Sequence, residues 1–271
     1  MEPLIRFGSF LAVFLVMAAW EMRRPRLHPQ HSKLRRWMIN FSILATDVLL
    51  LRFTLGAAAF AAAWYAAQHG WGLFNVLEWP YWLEFILALL LLDFALYLQH
   101  VMSHALPVFW RLHRVHHTDL DFDLSTGVRF HPVEIFISML YKTAAVAALG
   151  ADPWAVLTFE VILNAASVFN HGNVYVPEKI DRWLRWIVVT PDMHRVHHSS
   201  TVVETNSNFG FSISLWDRLC GTYRAQPALG HDGMEIGLKE YRDARRLGFV
   251  NLLLLPLRGK LGQYSFKKDV V

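Results

Sequence analysis

The residues best equipped for chemistry are histidines. The pentapeptide His113-Arg114-Val115-His116-His117 recurs letter for letter at His194-Arg195-Val196-His197-His198, and His100 and His104 stand just before the first copy. Eight of the 14 histidines therefore lie in three short motifs. On a helix, side chains three and four apart share a face, so each H-x-x-H-H presents three imidazoles on one side and His100 with His104 presents two. Eight convergent imidazoles exceed the roughly four to six ligands of one transition ion. His171, after a long apolar segment, is a ninth candidate. Nine nitrogen donors suit two ions at about four or five each, with room for an exogenous ligand; imidazole suits Zn, Cu, Fe and Ni. For one lone pair of histidines, helix capping would come first as an explanation. Two identical pentapeptides beside an H-x-x-x-H call for metal instead.

The elements that must position these motifs read as an all-α integral membrane bundle. Residues 4–20 are apolar and about long enough to span a bilayer with modest thinning. Only Arg6 lies at the start, whereas Arg23, Arg24, Arg26, Lys33, Arg35 and Arg36 follow. That asymmetry marks an anchor with a cytoplasmic C-terminal end rather than a cleaved leader. Pro25 and Pro29 end the helix. Residues 37–67 read as one long helix carrying Asp47 and Arg52, charges that face a bundle or mark a tilted helix. Residues 69–79 read as a short loop on the far side, and 81–104 as a third span. Pro107 breaks the chain before the first pentapeptide. Residues 133–149 and 153–170 form an apolar hairpin turning at Gly150-Ala151-Asp152-Pro153. Residues 178–189, with Arg182, Trp183, Arg185 and Trp186, have an interfacial mix. Thr190-Pro191-Asp192 is a helix start that launches the second pentapeptide. Residues 247–257 are too short to span and read as core or interfacial packing. The count is about four to five spans. With orientation set by charge alone, all nine histidines fall on the cytoplasmic side, in a histidine-rich di-metal cap on a single membrane domain over 1–271.

Composition agrees. The apolar fraction is 54% and the charged fraction 18%, the excess lying in long runs that point to spans. A net charge of +4 suits basic flanks against anionic lipid. No basic, aromatic-interleaved soluble module is present, which excludes nucleic acid as a partner. The single Cys220 excludes an intrachain disulfide framework and a Cys-ligated iron–sulfur cluster.

Asp93, Tyr97, His100 and His104 step by four, three and four, placing a carboxylate, a phenol and two imidazoles on one helical stripe. Asp93 is either a buried hydrogen-bond anchor or the carboxylate that fixes a ligand's tautomer. Tyr97 is equally a supporting group of the site or packing. Asp93 and Tyr97 are the candidate catalytic residues beyond the histidines. His131, before Pro132 and Glu134, reads as a helix cap or a supporting donor, with ligation the lesser option. Arg114 and Arg195 either dock an acidic electron donor or satisfy helix ends, the latter being favoured.

Neither pentapeptide nor the H-x-x-x-H contains the Glu of the H-E-x-x-H peptidases. Nine neutral donors leave two divalent ions strongly cationic, which suits anionic oxygen species, and a hydrophobic bundle shields an oxidant from water.

These motifs resemble the fatty acid hydroxylase/sterol desaturase superfamily of membrane di-iron enzymes, in a bacterial-type form. The resemblance runs from about Asp93 to Tyr223, taken as the catalytic region 93–223. It rests on the histidine motifs above and on R-x-H-P-x-E from Arg129, F-N-H-x-N at Phe169 to Asn173 and T-P-x-x-H-R-V-H-H-S from Thr190. N-F-G from Asn208 and W-D-R-L-x-G-T from Trp216 complete it. Where some relatives place a further His, this chain has Tyr175, and Cys220 stands where many have Phe. The resemblance implies a non-haem di-iron centre, two iron ions for which Zn can substitute, ligated by His100, His104, His113, His116, His117, His171, His194, His197 and His198. Asn173 and His131 are implied as supporting residues. It implies O2 as co-substrate and hydroxylation or desaturation of a lipid: sterol, fatty acyl or ether lipid. A separate electron donor of cytochrome b5 or ferredoxin type is expected, because no cytochrome b5 domain is fused here. A bacterial inner membrane is favoured over the endoplasmic reticulum, Lys267-Lys268 being too weak a signal for the latter. Two other classes stay open: a zinc-dependent membrane hydrolase, which would want a carboxylate base beside the histidines, and a non-enzymatic metal-binding or transport protein, which would want polar groups through the bilayer middle.

Overall fold

The computed structural model describes residues 2–77 and 80–262. Within them every regular element is a helix, and β pairing is limited to isolated bridges. The first helix, α1 (Glu2–Arg23), gives way before Pro25, which has no N–H to continue the ladder. Helix α2 (Lys33–Thr54) starts where Ser32 Oγ accepts from the Arg35 amide. It stops at Gly56, whose φ of +56° suits glycine and whose N–H bonds the Leu51 carbonyl at 2.7 Å. The single helix expected over 37–67 is therefore two: α2 and α3 (Ala58–His69). The pattern of apolar residues continues through the break, so only the glycine marks it.

The loop expected over 69–79 contains a further turn of helix, α4 (Leu73–Val76); its residues 78 and 79, like Lys267-Lys268, lie outside the described residues. Helix α5 (Tyr81–Ala105) leads into α6 (Pro107–His117), where Pro107 occupies the first position and thereby opens a new helix. Helix α7 (Pro132–Leu149) closes on Gly150, φ +65°. Gly72 and Gly150 meet so closely that a Cβ on Gly72 would lie 2.3 Å from the Gly150 amide nitrogen. Helix α8 (Pro153–Asn170) begins with the Asp152 carboxylate accepting from the Trp154 and Ala155 amides. Short helices follow, the first of them α9 (Glu178–Leu184) and α10 (Pro191–His197).

Four segments are long and apolar enough to cross a membrane: Glu2–Arg23, Lys33–Val76, Tyr81–Ala105 and Pro132–Leu149. Helix α8, expected as the other half of the apolar hairpin, falls outside that set, because Glu160 and Asn164 dilute it. It packs against α1, α3 and α5, with Trp154 and Ile162 left exposed. Small residues make this close packing possible: Ala59, Ala63, Ala88, Val146, Ala155 and Val156 share one core with Leu92 and Phe159. Glu160 is paired with Lys142 of α7 and Arg6 of α1, so its charge is neutralised inside the bundle.

The end of α1, the start of α2, the end of α5, the start of α7 and the end of α8 converge on a cap of loops and short helices. Arg36 fixes α2 to it. Its Nε and Nη2 donate to both oxygens of Asp119, at 2.6 and 2.8 Å, and its Nη1 donates to Asp123 at 2.7 Å. Asn40 donates to Asp119 and Ser125, and accepts from Arg129. Ile43, one turn further on, packs with Val115 of α6 and with Leu252 and Leu255 of the 247–257 segment, which is core packing. Asp47 is buried with one carboxylate oxygen unpartnered, and Arg52 is exposed, so the two are not paired.

Candidate metal centre

All nine predicted histidines meet beneath the bundle. The last turns of α5 supply His100 and His104. Helix α6 supplies His113, His116 and His117. His171 caps the end of α8, and α10 with its C-cap supplies His194, His197 and His198. They divide into two groups, His100, His104, His113, His117 and His197 in one and His116, His171, His194 and His198 in the other. The ligand atoms within each group lie within 4.8 Å of one another. Each pentapeptide serves both groups in mirrored shares. His113 and His117, one turn apart, go to the first group and His116 to the second; His194 and His198 go to the second and His197 to the first. That division is the physical content of H-x-x-H-H: the i, i+4 pair points one way and the remaining ring another. None of the nine is more than 3% exposed.

Ring orientation follows from the outer nitrogens. His100 Nδ1 donates to the Phe209 carbonyl at 2.7 Å, His171 Nδ1 to the Ser167 carbonyl at 2.7 Å and His197 Nδ1 to the Ser207 carbonyl at 2.8 Å. His113 Nδ1 donates to Glu134 Oε1 at 2.6 Å, and His104 Nδ1 to Asn206 Oδ1 at 3.2 Å. An acceptor at Nδ1 holds the hydrogen there and leaves Nε2 as a bare lone pair. Two such lone pairs face each other where His100 Nε2 and His113 Nε2 are 3.1 Å apart, and that of His171 points at His116 Nε2, 3.1 Å away, and His194 Nε2, 3.0 Å away, on rings whose Nδ1 atoms are buried without a partner. The buried Nε2 atoms of His104, His197 and His198 have no hydrogen-bond partner. Converging lone pairs repel unless a cation lies among them, so the donor set fits one metal ion per group. Burial, followed by the neighbouring imidazoles, pushes His116, His117, His194, His197 and His198 well below the ordinary histidine range. Burial lowers His171 to about 4. The neutral form is the ligating form.

Four other predicted residues stand apart from the rings. Asp93, two helical turns from His100, gives its Oδ2 to the Trp216 indole N–H at 2.9 Å and the Ile213 amide at 3.2 Å, and no histidine bonds it. Of its two readings, the anchor is what the contacts describe. It holds the loop that carries Phe209. Tyr97 bonds Thr222 Oγ1 at 2.9 Å and likewise touches no histidine ring. His131 is a cap: its Nδ1 accepts from the Val133 amide, and its Nε2 donates to the Leu253 carbonyl. Asn173 accepts from Arg195 and the Leu27 amide, and donates to the Leu27 carbonyl, tying the second pentapeptide to the chain after α1. Arg114 and Arg195 are fully buried, so neither forms an outer docking surface. Arg114 donates to the Leu255, Arg258 and Lys260 carbonyls, while Arg195 also lies over the Phe122 ring.

Glu134, read in the sequence only as part of R-x-H-P-x-E, was not assigned to a ligand. No Glu neighbours the histidines in the chain, yet α7 delivers one to His113. The available signal was its place in the first turn of a helix whose cap, His131, follows Arg129. Its Oε1 meets the Nδ1 side of the ring, away from the Nε2 atoms that converge. It is therefore placed to orient a ligand rather than to act as base for a hydrolytic water. Gly127 is missed likewise: a Cβ there would lie 2.7 Å from the Ser167 carbonyl and 3.1 Å from His171 Nδ1, on the very bond that orients His171.

Among the described residues, an all-helical fold with four membrane-length segments and two buried polyhistidine pockets fits a multi-pass membrane protein whose pockets could each hold a metal ion. The sequence profile of the Fatty acid hydroxylase family matches residues 85–222, and the chain belongs to that family. It is 30% identical over 151 residues to ornithine lipid hydroxylase OlsE of Rhizobium tropici, covering 55% of this chain and 44% of that protein. It is 28% identical over 159 residues to human alkylglycerol monooxygenase, 57% of this chain and 33% of that protein. It is 31% identical over 146 residues to human cholesterol 25-hydroxylase, 51% and 50%. The chain thus spans half or less of the length of these relatives. No solved structure matches it.

Proposed function

We propose that this protein is an O2-dependent membrane oxidoreductase that hydroxylates a lipid at a pair of iron ions held by the nine histidines. The observation that carries the reading is the division into five and four buried imidazoles whose ligand atoms converge in two pockets. Three relatives named as lipid hydroxylases or monooxygenases support hydroxylation over desaturation. When bound, the iron pair supplies two-electron activation of O2.

The chain's own part is positional. Histidines, backbone carbonyls and Glu134 fix the ring orientations before substrate arrives. Burial excludes water from the oxidant. Asp93 and Tyr97 hold the covering loop through Trp216, Ile213 and Thr222, and His131 and Asn173 hold elements that carry ligands. The cap belongs on the cytoplasmic face, because Arg23, Arg24 and Arg26 follow α1. Two electrons per turnover come from a separate cytochrome b5- or ferredoxin-type donor.

Metal analysis of protein purified without oxygen tests this reading. Two iron ions per chain are expected, with His197→Ala and His194→Ala each emptying mainly its own group. A chain that keeps lipid turnover after chelation to below a tenth of that occupancy would sink the assignment.

A further inference from the structure

A lateral groove of about 550 Å3 runs between α1 and α8, within the range of about 300–1,000 Å3 that suits bound small molecules. Its walls are hydrocarbon: Ala12 and Val16 of α1 face Ile162, Ala165 and Ala166 of α8. Val16 and Ile162 are exposed, so the groove opens sideways on an apolar flank of the bundle. From Ile162 to Phe169 it extends about 10 Å along α8. At the far end, Glu160 with Arg6 and Lys142 replaces the apolar lining by ions.

The opposite end is the cap, and two independent features mark its depth and its reach. The segment leading into it exposes Ile180, Trp183, Trp186 and Ile187 beside Lys179 and Arg182, the combination found at lipid head-group level. That segment continues directly into Val188 and Val189, which line the groove. The other floor residues are chain neighbours of the metal centre. Phe169 is two residues from His171, Val189 precedes the Thr190 cap of α10, and Ser212 follows Phe211, whose ring centroid is 4.9 Å from that of His100. Phe211 is bound in turn through its carbonyl to Asn170 Nδ2 at 2.9 Å.

We infer that this groove seats the hydrocarbon chain of a bilayer lipid, its body along α1 and α8 and its polar end at the Val188–Val189 rim, so that the carbons nearest the head group are those offered to the histidines. The inference rests on the proposed lipid oxidation and adds to it an orientation and a position of attack. A chain in this register never leaves the leaflet. Its methyl end points at the bilayer middle, away from the metals.

The test is photocrosslinking in vesicles of phosphatidylethanolamine carrying a diazirine on one acyl chain, near the head group in one probe and near the methyl end in another. Binding is read on protein with and without metal, so it does not depend on turnover. The head-proximal probe should label residues around 188–189 and 212, and the distal probe those around 12 and 162. Ala166→Trp fills the groove and should lower labelling about tenfold, the loss expected from a few methylenes denied burial. Ala12→Trp, on the exposed face of α1, does the same at less risk to folding, and retained metal content checks that both variants fold. Undiminished labelling in both variants, a reversed probe pattern, or labelling only by a photoreactive sterol would overturn the inference. Groove labelling without any oxidised lipid would count against the proposed activity alone. Oxidation at head-distal carbons would overturn the orientation and leave the activity standing.

Discussion

At the scale of single residues, the centre is governed by what touches the outer nitrogen of each ring. Glu134 is the only carboxylate bonded to one of the nine histidines among the described residues. Glu134→Ala is expected to weaken iron binding about 10–100-fold with the helices intact. Glu134→Gln should weaken it less, because its amide oxygen still accepts from His113 Nδ1. Occupancy at limiting iron measures both; equal occupancy in the wild type and Glu134→Ala would reduce Glu134 to packing. The histidines themselves were legible in the chain because spacing on a helix dictates which rings share a face. Their division into five and four was not, since it depends on how α6 and α10 meet. Glu134 stayed hidden for the same reason, its partner being 21 residues away on another helix.

At the scale of elements, two anchors hold the cap to the bundle. Asp93 binds the loop that presents the Phe209 carbonyl to His100. Asp93→Ala leaves the Trp216 and Ile213 N–H groups without an acceptor and should cost about 1–3 kcal/mol, read as a lowered unfolding temperature. A fall in metal affinity at unchanged stability would instead give Asp93 a direct part in ligation. Arg36 is the second anchor, with Asp119 and Asp123 buried around it. Arg36→Leu strands two buried carboxylates and should cost about 3–5 kcal/mol. The spans were legible from their length and apolar runs, and helix starts from His131-Pro132, Asp152-Pro153 and Thr190-Pro191; the start of α2 after Ser32, four residues before the expected one, was not. The break at Gly56 was not, since a glycine inside an apolar helix carries no fixed meaning, nor was the pairing of Glu160 in α8 with Arg6 and Lys142 of other helices. The Arg36 network pairs groups 83 and 87 residues apart, a distance over which no local pattern reports.

At the scale of the whole molecule, the cap is a store of neutral histidine and paired carboxylate, which sets its response to acid. His171 titrates near 4 in the fold and near 6.5 when unfolded, so below about 6.5 the unfolded chain binds more protons. Stability of the metal-free protein should be level above pH 7 and fall as pH drops from about 6.5 towards 4. Burial raises the Asp119 carboxyl, but the Arg36 charge and hydrogen bonds outweigh that and hold it well below the usual carboxylate range. Its contribution is present above about pH 4 and is lost as pH falls further. The unfolding temperature followed from pH 8 to pH 4 checks the sign; a constant value down to pH 5 would contradict it.

The central claim is that the histidine pair of pockets oxidises a lipid with O2. The most direct measurement is mass spectrometry of total lipids from cells grown under 18O2, comparing the intact chain with His100→Ala. A lipid that gains one 18O only with the intact chain is the predicted result. A lipid that loses two hydrogens without label would replace the proposed hydroxylation by desaturation on the same centre. Equal lipid profiles in both cultures, with the protein iron-loaded and a reductant system present, would contradict the account.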